Sequence, residues 1–212
     1  MHDHHDDGHG HNHPESATSK EWRRILWFAL VVNVAMFVVE IVAGISAGSS
    51  SLQANALDFF GDATNYAISL GVVGMAVAWQ TRAAFFKGAT LVVFGLWVVG
   101  TTVWHAYIGT VPEVPTMGAI GFLALIANLV VAVTLYRFRN GDANMRSVWL
   151  CTRNDAVGNL AVLAAAIGVL GTATGYPDYI VAAILAYLSM SAGWQTLRQA
   201  LGEHRDHIAA KP

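Results

Sequence analysis

Two carboxylates, Asp58 and Asp62, stand four residues apart in the stretch NALDFFGDATNY. Cys151 and Asp155 repeat that spacing in WLCTRNDAVGN. On a helix, side chains at i and i+4 share one face, so each pair points one way. Three oxygens and one thiolate form a tetrahedral donor set suited to Zn²⁺ or Cd²⁺. The thiolate argues against Mg²⁺ and Ca²⁺, which want oxygen throughout. A cation would also explain why Asp58 and Asp62 are neighbours. Without one, two carboxylates in a low-dielectric setting repel each other, and at least one must hold a proton. Metal binding requires such protons to leave. The expected metal ligands are therefore Asp58, Asp62, Cys151 and Asp155, and the expected chemistry is an exchange of metal for protons.

The elements that carry these pairs must cross a membrane. Of 212 residues, 55% are hydrophobic and 12% charged, against roughly 25% charged in a soluble domain. The mean hydropathy is +0.46. Six apolar stretches, near 25–46, 52–79, 86–108, 116–136, 147–172 and 178–198, approach or exceed the ~20 residues that span a bilayer as helix. They do not alternate as barrel strands do. The fold class expected is an all-α integral membrane protein with six transmembrane helices. The net charge of -2 points to no particular partner, and a single cysteine excludes an internal disulfide framework. No small-residue cleavage site follows the first apolar stretch, which is therefore kept as structure.

Charge sets the expected orientation. Eleven of the twelve Lys and Arg residues flank one set of helix ends, with Arg82 and Lys87 assigned between helices two and three. The loops GISAGSSS, YIGTVPEVPT and TATGYPD carry none, and Arg153 alone lies within a span. The positive-inside rule then puts both termini in the cytoplasm. Trp22, Trp79, Trp104, Trp149 and Trp194 lie near the predicted helix ends, as an aromatic belt would. Three units follow: a disordered His/Asp-rich cytoplasmic arm at 1–19, a transport domain at 20–200 and a short cytoplasmic tail at 201–212.

Ionisable groups inside a membrane are costly and mark pathways or pairs. Besides the two pairs, Glu40 and Arg153 qualify. Glu40 is read at the depth of the carboxylates, as a partner of Arg153 or part of a proton path. Asn55, Asn65 and Asn159 lie within a turn of the carboxylates, as supporting donors or as polar contacts between helices. His105, beside Trp104, reads as interfacial. Six of the nine histidines fall in the first 13 residues, MHDHHDDGHGHNH, a composition that attracts metal. No GxGxxG, P-loop, HExxH or nucleophile elbow is present, so nothing supports ATP hydrolysis or proteolysis.

Taken together, VVNVAMFVVEIVAG, SSSLQANALDFFGDATN and WLCTRNDAVGNLAVLAA resemble the cation diffusion facilitator family over about residues 20–200. The resemblance implies a six-helix divalent-metal/proton antiporter, commonly dimeric. Its transport site would come from paired residues on helices two and five, here Asp58, Asp62, Cys151 and Asp155. It implies a secondary transporter rather than an enzyme. Two features depart from the family pattern. Asp58 and Cys151 stand where zinc transporters commonly have His, and only about a dozen residues follow helix six, where a soluble cytoplasmic domain is usual. A homodimer would then be held by the transmembrane helices.

The expected activity is efflux of Zn²⁺, with Cd²⁺ next and Co²⁺, Ni²⁺, Mn²⁺ or Fe²⁺ further alternatives, by proton antiport through alternating access. No prosthetic group and no nucleic acid is expected. The partners are the metal ion, protons and the lipid bilayer, in a bacterial inner membrane. Two other readings stay open: a metal-selective channel, and a membrane metal sensor or buffer that binds without transport.

Overall fold

The computed structural model describes residues 15–71, 77–140 and 143–209. These form six helices: α1 (Glu15–Ser46), α2 (Ser50–Gly71), α3 (Val77–Ile108), α4 (Val114–Tyr136), α5 (Ala143–Thr172) and α6 (Tyr176–Ala209). Five of them are long and apolar enough to cross a membrane by length and composition: α1, α3, α4, α5 and α6.

Helix α2, over its described residues, is more polar than these five. Nearly all of its first half, from Ser50 to Leu57, is buried by protein. It packs against α1, α3, α5 and α6. A helix covered by other helices needs no apolar coat against lipid, so it can carry Gln53, Asn55, Asp58 and Asp62. The outer helices carry the coat instead, with Val31, Val42, Val93, Val103, Val133, Ile167 and Leu170 among the exposed residues.

Sequence periodicity misplaces the second boundary. Residues 77–79 open α3 rather than close α2, so Arg82 and Lys87 stand on α3 rather than in a loop. Likewise α1 begins at Glu15, within the stretch expected as a disordered arm, and α6 continues to Ala209 through most of the expected tail. The His-rich residues 1–13 lie outside the described residues.

The turns are chemically specific. Gly48 has φ +66° and ends α1. Ser49 N–H donates to Gly44 O at 2.9 Å and Gly48 N–H to Ile45 O at 3.3 Å. This is the paired bonding of a Schellman motif, which satisfies the last carbonyls of a helix and favours glycine at the left-handed position. Gly109, with φ +72°, ends α3, where Thr110 N–H donates to His105 O. Glu113 N–H reaches Ala47 O at 2.9 Å and ties the two turns together.

At this same end Asp178, fully buried in the first turn of α6, holds the start of α2. Its carboxylate accepts from Ser49 Oγ at 2.7 Å, Ser51 Oγ at 2.6 Å, Ser50 N–H at 2.8 Å and Ser51 N–H at 3.1 Å. Two helix N-termini thus share one negative charge, which their dipoles favour. Tyr179 adds hydroxyl bonds to the His105 and Thr110 carbonyls. The opposite end, where α1 begins and α4 ends, is joined by Arg137–Glu21 at 2.7 Å and by Trp22 packed on Phe138. Trp22 is consequently buried, not in an interfacial belt. Trp104 and Trp194 are exposed, as a belt requires.

Candidate metal centre

The second helix brings Asn55, Asp58, Asp62 and Tyr66 onto one face, at offsets of three, four and four residues. Helix α5 answers with Thr152, Asp155 and Asn159, at offsets of three and four. Asp62 stands twelve residues beyond Ser50 and Asp155 twelve beyond Ala143, each about 18 Å along its helix.

The two faces meet at Asp62 and Asp155, whose carboxyl groups lie close enough to influence each other. Tyr66 OH donates to Asp62 Oδ2 at 3.1 Å and meets Thr152 Oγ1 at 2.6 Å. Asn65 Oδ1 accepts from Lys87 Nζ on α3, and the Lys87 charge bears on Asp62. A cation on a third helix thus stands beside the pair.

Asp58 lies one turn nearer the α1–α2 turn. Its Oδ1 accepts from Ser189 Oγ of α6 at 2.9 Å. It feels the charge of Asp62. Gly158 of α5 lies against it, where a Cβ would stand 3.5 Å from Asp58 Oδ2 and 3.3 Å from Asn55 Oδ1. Beyond it, Asn55 Nδ2 donates to Asn159 Oδ1 at 2.6 Å and to both oxygens of Glu40, at 2.8 and 3.0 Å.

Of the four expected ligands, Asp62 and Asp155 lie close together and Asp58 is within electrostatic reach. Cys151 falls on α5, but its side chain lies outside the described residues, as does that of Arg153. Among the described residues, no three His, Cys, Asp or Glu side chains close on a common point. Glu40 corrects an expectation. It stands six residues from Ser46, so it is nearer the α1–α2 turn than the carboxylate pairs. Its oxygens are engaged by Asn55. His105 is not simply interfacial either, since its Nδ1 meets Ser50 Oγ at 2.9 Å.

Tyr66, Thr152, Gly158, Ser189 and Lys87 were not singled out from sequence. Tyr66 and Thr152 had a signal, one turn from Asp62 and Asp155 on the same faces. Ser189 and Lys87 had none, because α6 and α3 approach only in the folded bundle.

A buried polar column, with the Asp58/Asp62 pair of α2 facing Asp155 of α5, runs between helices that are long and apolar enough to cross a membrane. The cation efflux transmembrane domain matches residues 26–203. The chain belongs to this cation efflux family. It is 25% identical over 208 residues to the zinc transporter ZitB of Pectobacterium atrosepticum, covering 92% of this chain and 64% of that one. It is 23% identical over 210 residues to the cadmium, cobalt and zinc/H(+)-K(+) antiporter of Bacillus subtilis, covering 91% and 65%. To the metal cation efflux system protein CzcD of Cupriavidus metallidurans it is 24% identical over 210 residues, covering 92% and 64%. The chain thus spans just under two thirds of the length of these relatives.

Proposed function

We propose that this protein exports a divalent metal ion, Zn²⁺ first and Cd²⁺ next, in exchange for protons. The observation that carries the reading is the close approach of Asp62 and Asp155 between α2 and α5, with Asp58 one turn away. Metal entering from the cytoplasmic side displaces protons from these carboxyl groups. It is then held by Asp58, Asp62, Cys151 and Asp155. The bundle opens to the other side, protons return to the carboxylates, and the ion leaves. Family membership and the names of the relatives support the cargo. The Asp pairs support the proton coupling.

The reading puts both termini in the cytoplasm of a bacterial inner membrane and pairs two copies through their transmembrane helices. A one-for-one exchange moves one net positive charge outward, which an inside-negative potential opposes by ~2.3 kcal/mol per 100 mV. Efflux then needs the proton gradient or more than one proton per ion.

The test is Zn²⁺ flux in proteoliposomes under an imposed pH gradient, for wild type and Asp155→Ala. Wild type should accumulate zinc against its gradient, and the variant should not. Zinc binding with no flux at any gradient would instead mark a sensor or buffer. Flux that follows zinc downhill without coupling to protons would mark a channel.

A further inference from the structure

Glu40 is a buried carboxyl that the proposed metal exchange does not use. It is 0% exposed, on α1, which contributes no expected ligand. Both of its oxygens are bonded by one neutral amide, Asn55 Nδ2, at 2.8 and 3.0 Å. That amide is itself fixed from the other side by Asn159 of α5 at 2.6 Å. Among the described residues, the charged group that bears on Glu40 is Asp58, another carboxylate. Helix α4, which also packs on α1, presents Asn128 to the buried interior but no charged residue within its span.

A buried carboxylate faced by an amide and a second carboxylate is costly, because no described residue supplies the opposite charge. A proton removes that cost. A divalent ion at Asp58 removes it too, by supplying the missing positive charge nearby. The two solutions exclude each other electrostatically, without Glu40 touching the metal. Asn55, bonded to both Glu40 and Asn159, links α1, α2 and α5, so that Glu40 senses the same site on which α2 and α5 close.

We propose that Glu40 carries one of the counter-transported protons. It releases the proton when metal arrives beside Asp58 and takes one back when metal leaves. This rests on the antiport reading above. The balance is one O–H bond broken at Glu40 per ion taken up and one re-formed per ion discharged. That proton adds to those displaced from the ligands.

The experiment compares wild type with Glu40→Gln, which keeps shape and a carbonyl acceptor for Asn55 but carries no exchangeable proton. The first readout is the number of protons released per Zn²⁺ bound in detergent, measured by calorimetry at mildly acidic pH in buffers of different ionisation enthalpy. The count should fall by one in Glu40→Gln and be unchanged in Glu40→Asp. The second is the zinc ratio at static head in proteoliposomes, with voltage clamped at zero and one pH unit imposed. Each exchanged proton raises that ratio about tenfold, so Glu40→Gln should end about tenfold below wild type. An unchanged proton count and ratio in Glu40→Gln would overturn the inference and leave the antiport reading intact. Loss of zinc binding in Glu40→Gln would overturn it by making the carboxyl part of the site or the fold. Wild type that accumulates no zinc under a pH gradient would remove the antiport reading, and this inference with it.

Discussion

Gly158 sets how near α5 can come to the Asp58 carboxylate. A single methyl there would meet Asn55 Oδ1 at 3.3 Å, tighter than ordinary packing, and Asp58 Oδ2 at 3.5 Å. Gly158→Ala should therefore weaken Zn²⁺ binding several-fold, and Gly158→Val should weaken it further by forcing α5 away. Calorimetric titration in detergent measures both, and equal affinity for Gly158→Val would show that α5 does not depend on this approach. Lys87 gives a second prediction. Its ammonium bonds Asn65, bears on Asp62 and opposes an incoming divalent ion. Lys87→Met should tighten zinc binding, most clearly at low ionic strength where charge is least screened.

The paired carboxylates were legible from sequence because helix periodicity alone puts residues four apart on one face. Which members of the two pairs approach each other could not be read from that spacing. The bond from Asp58 to Ser189 could not be read, since it depends on the rotation of α6 about its own axis.

At the scale of elements, α3 and α6 form a closely packed pair. A Cβ on Gly88 would meet Gly193 O at 2.7 Å and Leu197 Cγ at 2.8 Å. One on Gly193 would meet Leu91 Cβ at 2.9 Å and Gly88 O at 3.0 Å. Backbone lies against backbone here, the kind of approach that small residues permit in lipid. Gly193→Val should separate the helices and lower stability by roughly 1–3 kcal/mol, read as an earlier midpoint of unfolding in mixed micelles. A midpoint equal to wild type would mean that the crossing yields freely.

The six helices were legible because long apolar runs in lipid have no other way to satisfy their backbone. The α2–α3 boundary was not. The sequence stays apolar from Ala67 to Trp79, so hydropathy offers no break where α3 begins at Val77. Trp22 misled for a related reason. Its position near a helix end suits an interface, yet Phe138 gives it a partner inside the bundle.

For the whole molecule, the loops sort into two ends. One holds the turns at Gly48, Gly109 and Ala173; the other holds the start of α1 and the end of α4. In sealed cells, Thr174→Cys should react with a membrane-impermeant maleimide from outside, while Asn140→Cys should react only after permeabilisation. The reverse pattern would invert the proposed orientation. The proposed orientation rests on the uneven distribution of Lys and Arg.

Asp178 did not stand out in the sequence. It lies in TATGYPD, which reads as a loop opening its own helix, and nothing in that run points to Ser49, Ser50 and Ser51 far back in the chain. Yet it alters how α2 meets water. The first amides of a helix have no carbonyl one turn behind them and ordinarily trade hydrogen with solvent quickly. Here Ser50 and Ser51 give theirs to a buried carboxylate. In deuterated buffer those two amides should retain hydrogen as long as mid-helix positions do, and Asp178→Ala should release them while the amides of α4 keep their rates.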